Sequence, residues 1–330
     1  MGLLSRCIRG RWASSVGTNQ ATSGPAGRET KQVMTCPNTS PRITRSHHDS
    51  RRAEDWLRTE LSSSPMFPTI EPSSPITDAM LASIDQLTTE CRACLAEPGD
   101  GRVIHYRNWV TRAVAALRSW FDFPDVDRLV RTPGFWHLVT LYANDPHTQS
   151  LAALEIDEAT RRLSDLAGQM RSFHFRWRYR EIFIADTNLY LHHPKTFDHI
   201  DWHDELGLLP LDQLRLVVPM IVIDELDKLK DRGAQDVRGR ARETLRRIEE
   251  LFRTTTEGAK PLAKDSPVTI ELLMDRLEHE RLAGADNELV DRARRLQLMA
   301  GTTVTLVSRD TGLLLRARAA GLTAIRSAAS

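Results

Sequence analysis

The stretch Glu181-Ile182-Phe183-Ile184-Ala185-Asp186-Thr187-Asn188 decides how the second half of this chain reads. A short apolar run stops on an acid, the pattern of a buried strand that opens into a turn. Comparable runs lie downstream at Leu216–Ile223, Val268–Ile270, Thr302–Val307 and Leu322–Ile325. Pro219 is admissible in the first of these only near a strand's beginning or on an edge. Helical spacing fills the intervals at Asp224–Leu229, Val237–Phe252, Asn287–Met299 and Thr311–Ala320. Runs buried on both faces and separated by amphipathic helices predict a parallel sheet flanked by helices, an α/β region over 179–326.

Upstream the pattern changes. Met80, Leu81, Ile84, Leu87 and Cys91 recur at three and four residues, one buried face of a helix. A second helix is expected over Val103–Phe121, broken by Pro124, and a long one carries Leu151, Leu154, Leu163, Leu166 and Met170. Residues 76–175 therefore read as an all-helical domain. Trp109, Trp120 and Trp136 are expected as its core anchors. Before it, Met1–Arg52 holds nine basic residues and two acids among Ser, Thr, Gly and Pro. Residues 1–75 have no recurring apolar face and read as a disordered basic tail, either a targeting segment or a plain solvated one.

Composition narrows the function classes. Lys and Arg number 45 against 44 acids, a net charge of +1, so a nucleic-acid grip has to be local. No apolar stretch is long enough to span a bilayer. Four cysteines do not make a disulfide scaffold, and a cytoplasmic setting is the expectation. Cys91 and Cys94 stand as a lone pair without two further soft ligands nearby, so buried helix cysteines are the plainer reading.

Four acids fall near the edge where open parallel sheets gather ligands. Asp186 ends the first run, Glu225 follows the second, Asp310 ends the fourth, and Asp286 opens the helix before it. One such acid is ordinarily a helix cap. Four converging carboxylates repel one another, which a bound divalent cation resolves, and an all-oxygen set selects Mg²⁺ or Mn²⁺.

Asp186-Thr187-Asn188, Glu225 within Val222–Lys230, Asp286 and Ser308-Arg309-Asp310 resemble, in order, the motifs of the PIN-domain nuclease family. The second motif is closest to the PIN domain attached to PhoH-type ATPases, although the chain has no Gly-x-x-x-x-Gly-Lys-Ser/Thr loop and no room for an ATPase domain. The resemblance implies metal-dependent cleavage of single-stranded RNA, leaving a 5′-phosphate and a 3′-hydroxyl. It implies Asp186 and Asp310 as direct ligands of Mg²⁺ or Mn²⁺, with Glu225 and Asp286 completing the cluster directly or through water. Thr187, Asn188 and Ser308 would orient those carboxylates by hydrogen bonds. Asp224 and Asp227 crowd Glu225, and a shift of one residue would exchange their roles. A homodimer is also expected; a membrane and a nucleotide cofactor are not. The alternative is a non-catalytic PIN-like module that binds RNA or protein.

Other features stay open. Arg238, Arg240 and Arg242 could contact RNA phosphates or lie on a solvated helix with Glu243, Glu249 and Glu250. Phe173–Arg180 interleaves aromatics with arginines, suited to stacking on bases or to docking one region on another. His192, His193, His199 and His203 cluster at irregular spacing, as a polar surface does more often than a zinc site.

Overall fold

The computed structural model describes residues 70–328 except 178–179, 264–265 and 277–278. The expected basic tail lies outside these residues up to position 69. The helical and the α/β parts belong to one structural unit.

Helix α1 (Asp78–Ala93) starts where Thr77 accepts the N–H of Met80 at 3.2 Å, and it buries the apolar face expected of it. Helices α2 (Gly101–Leu117), α3 (Phe123–Val130) and α4 (Pro133–Thr140) follow, and Pro124 and Pro133 sit in first turns, where no N–H is needed. Helix α5 (Pro146–Trp177) packs along α1. Its buried side uses Ile156 with Ala152 and Ala159, the alanines small enough for close helix approach, whereas Leu154 is 64% exposed. Trp109 is fully buried and donates its indole N–H to the Leu87 carbonyl at 3.0 Å. Trp136 is 51% exposed and is no core anchor.

Strand β1 (Glu181–Ala185) leads through α6 (Thr187–His192) and α7 (Trp202–Leu206) to β2 (Leu214–Pro219). Then come α8 (Met220–Arg232), α9 (Gln235–Leu251), β3 (Lys260–Pro261), β4 (Val268–Leu273), α10 (Ala285–Ala300), β5 (Val304–Ser308), α11 (Thr311–Ala319) and β6 (Thr323–Arg326). The sheet order is β3-β4-β2-β1-β5-β6, parallel throughout except for β3 against β4. Ile182 is level with Arg215 on one side, and Ala185 with Val307 on the other. β1 is thus central.

One boundary departs from the sequence reading. The apolar run Leu216–Ile223 is strand only to Pro219, and Met220–Ile223 is the first turn of α8. An unbroken apolar run suits a buried strand and a buried helix equally. Pro219 settles it, because its fixed φ of −66° fits the residue that precedes a helix.

Helix α5 is locked to the sheet by an ion triad centred on a buried carboxylate. Glu271 on β4 is fully buried between Arg176 of α5 and Arg215 of β2, with Arg215 Nη1 at 2.9 Å. The Arg215 guanidinium also lies 5.0 Å from the centre of the Trp177 ring. The aromatic–arginine stretch therefore docks helix on sheet through Trp177 and Arg176, while Phe175 points outward at 72% exposure.

Candidate active site

Asp186 is the residue between the central strand β1 and α6. Its Oδ1 accepts the Leu189 N–H at 3.0 Å, and its Oδ2 accepts the Ser308 hydroxyl. The same Ser308 oxygen accepts the Asp310 N–H at 2.9 Å, so one hydroxyl ties together the ends of adjacent strands β1 and β5. Asp186 is only 3% exposed. Burial pushes its carboxyl above the ordinary carboxylate range, the Asp286 charge adds to that, and Ser308 and backbone N–H groups pull the other way.

Asp310 caps α11, its Oδ1 accepting the Leu313 N–H at 3.0 Å, and it is exposed. Capping does not exhaust a carboxylate, since each oxygen offers a second lone pair. Both strand-end acids are therefore helix caps and remain able to bind a cation.

Glu225 lies in the second turn of α8, where the Thr187 hydroxyl donates to its Oε2 at 2.5 Å. Its neighbours face elsewhere. Asp224 is paired with Arg281, and Asp227 with Lys230 at 2.6 Å. Asp286, in the first turn of α10, accepts Arg316 Nη1 at 2.8 Å and is half exposed. Asn188 reaches Asp186 through its backbone N–H, and its side chain makes no hydrogen bond among the described residues.

The four carboxylates share one sheet edge and are linked through Ser308, through Thr187, and by the field of Asp286 at Asp186. They do not form one tight ligand set. Among the described residues, the group of three with ligand atoms within 4.8 Å of one another is Asp275, His279 and Glu288, just beyond β4. Spacing alone would favour that group for a metal.

Charge reverses the preference. Asp275 is paired with Arg281 at 2.7 Å, and Glu288 with His279 at 2.6 Å and Arg292 at 3.2 Å. Glu288 also accepts the Leu282 N–H at 2.7 Å. Each carboxylate there already has a guanidinium. Among the described residues, the four strand-edge acids have one cationic partner, Arg316; four carboxylates less one guanidinium leave three formal negative charges. A hard divalent ion fits that all-oxygen, under-neutralised set, while the His279 network reads as a closed ionic clasp. Sequence reasoning missed the clasp because its partners lie on a loop and a helix without shared periodicity.

The remaining candidates are placed as follows. Arg240 donates to the carbonyls of His193 at 2.9 Å and Pro194 at 3.2 Å, and Arg242 lies 3.5 Å from Asp231. Arg238 has no side-chain partner among the described residues. His193 bonds Glu205 at 3.3 Å, His203 the Asp212 carbonyl at 3.0 Å and His199 Asp198 at 3.1 Å, so these histidines are tied off separately. A cavity of about 640 Å³ beside His199 and His203 borders Ser266 and Pro267, at the amino end of β4 and away from the acids. Cys91 and Cys94 are buried, and burial pushes the Cys91 thiol up to about 12, far from a thiolate ligand.

Comparison with known families places residues 183–328 under the PIN domain. These residues form a PIN domain. The match begins inside β1 and takes in all four acids, and PIN domains are generally nucleases that use divalent metals and act on RNA. It names the PIN domain without singling out the PhoH-type branch. Among solved structures, a domain of a functionally unknown protein from Methanocaldococcus jannaschii DSM 2661 is similar at 17% identity, covering 46% of this chain and 93% of that one, with a TM-score of 0.31. No curated protein matches the chain. No described helix is long and apolar enough to cross a membrane.

Proposed function

We propose that this protein is an endoribonuclease that hydrolyses single-stranded RNA with Mg²⁺ or Mn²⁺ held by Asp186, Asp310, Glu225 and Asp286. The observation that carries the reading is Asp186: a carboxylate 3% exposed at the end of the central strand, tied through Ser308 to the strand end that bears Asp310. A buried acid with three further acids on the same edge and one guanidinium among them is costly unless a cation is its purpose.

Asp186 and Asp310 would hold the ion, and Glu225 and Asp286 would complete the set directly or through water. When bound, the ion supplies an activated water and neutralises charge on the leaving oxygen. The chain's own residues do the positioning. Ser308 fixes the Asp186 carboxylate, and Thr187 fixes Glu225, so neither has to reorganise as substrate arrives. In this reading residues 179–326 carry the chemistry, and the helical region over 76–175 braces it.

The test is hydrolysis of a single-stranded oligoribonucleotide with Mn²⁺ or Mg²⁺, beside Asp186→Asn and Asp310→Asn. Cleavage that stops in chelator and in both variants supports the reading. Cleavage indifferent to all three ends it, and binding without cleavage across metals and substrates would make the chain an RNA-binding module instead.

A further inference from the structure

A groove of about 580 Å³ runs between α10 and α11, beside Asp286. Its apolar wall is Leu282, Val290 and Ala319, and its cations are Arg294 and Arg316. Arg316 is half exposed and, among the described residues, is held by Asp286 alone. A methyl group built on Gly312 would stand 3.5 Å from Arg316 Nη1 and 3.0 Å from Asp310 Oδ1, so this guanidinium lies back along its own helix beside the first turn of α11, which Asp310 caps. Arg294 has no ion pair or side-chain hydrogen bond among the described residues. The acid nearest to it in the groove, Asp291, is taken by Arg292 at 2.6 Å and Arg295 at 2.8 Å.

A guanidinium without a partner among the described residues and a loosely held one, over an apolar wall, make a site for a ligand that is anionic at one end and flat and apolar at the other. A nucleotide has that chemistry. On α9, Arg240 and Arg242 are already engaged, and Arg238 does not line this groove.

We propose that this groove seats a nucleotide of single-stranded RNA next to the cleaved phosphodiester, with Arg294 and Arg316 holding its phosphate and Arg316 leaving Asp286 to do so. The assignment rests on the ribonuclease reading, because it takes its ligand from the neighbouring acids. In binding, the Arg316 guanidinium exchanges a carboxylate for a phosphate, which returns a negative charge to the acid set only when substrate is present.

The experiment is anisotropy of a fluorescein-labelled oligouridylate in chelator, where no cleavage occurs, across a salt series. Arg294→Ala is expected to weaken binding about tenfold and to make the slope of log Kd against log salt shallower by about 0.7, one phosphate contact on a single strand. Arg316→Lys, which keeps the charge and loses the fork, is expected to weaken binding less than Arg316→Ala. Arg161→Ala, an exposed change on α5, serves as the unchanged control, and Arg294→Gln replaces Arg294→Ala if its melting temperature falls. Wild-type affinity in Arg294→Ala and Arg316→Ala, or no binding by the wild type, overturns the subsite. The two readings fail separately. Arg294-dependent binding without hydrolysis in Mn²⁺ sinks the nuclease and keeps the groove, whereas hydrolysis indifferent to Arg294 and Arg316 does the reverse.

Discussion

Two sets of acids flank the same sheet edge, and they differ in what neutralises them. Asp275 and Glu288 are close-set and matched by Arg281 and Arg292, with His279 bonded to Glu288, while Asp186, Glu225, Asp286 and Asp310 are more widely spread and share Arg316. The first set has what it needs within the protein. The second keeps three formal negative charges, which under the proposed function a bound cation offsets. Under that function, the balance of charge around ligand atoms is a better guide to a cation site than their proximity.

The sharpest way to break this comparison is at Asp186 and Asp310. Asp186→Asn or Asp310→Asn should lower RNA hydrolysis about a thousandfold, roughly 4 kcal/mol of transition-state stabilisation, with melting unchanged or raised. Single-turnover cleavage beside a thermal melt checks both halves. Glu288→Gln should do the converse. It removes the charge that the buried Arg292 and His279 face, which should cost about 3 kcal/mol of stability by denaturant titration, while Mn²⁺ affinity by calorimetry stays put. Loss of Mn²⁺ binding in Glu288→Gln, with binding intact in Asp186→Asn, would move the metal to the clasp.

A smaller effect is expected at Thr187. Thr187→Val removes the hydroxyl that holds Glu225 and should slow cleavage ten- to a hundredfold with the fold intact. The smallest is a pH effect. Burial raises the Asp186 carboxyl, so the folded chain holds this proton more tightly than the unfolded chain. That acid then loses stability for the fold as pH rises from about 4 through its raised value, and keeps none of the loss below it. The melting temperature of Asp186→Asn minus that of the wild type should widen upward through this window without metal, and Mn²⁺ should narrow it. A gap flat in pH would mean the carboxylate carries no burial penalty.

Much of this was legible in the chain. Asp186 and Asp310 stand where an apolar run stops and a helix begins, and local spacing reveals such places. The end of β2 was not legible, because Leu216–Ile223 is uniformly apolar and only Pro219 marks the change. Nor was the exposure of Trp136, since a short helix carries too little periodicity to fix its buried face. That Glu225 faces Thr187 while Asp224 and Asp227 are paired with Arg281 and Lys230 shows only in the folded chain.

By itself the sequence determined the alternation of strand and helix and the acids at the strand ends, since periodicity and capping act over a few residues. The tertiary structure decided which carboxylates keep their charge uncompensated. Asp224 meets Arg281, Asp286 meets Arg316, and Asp186 meets Ser308 only after folding. Electrostatic attraction depends on separation through space, and for residues far apart along the chain only the fold sets that separation.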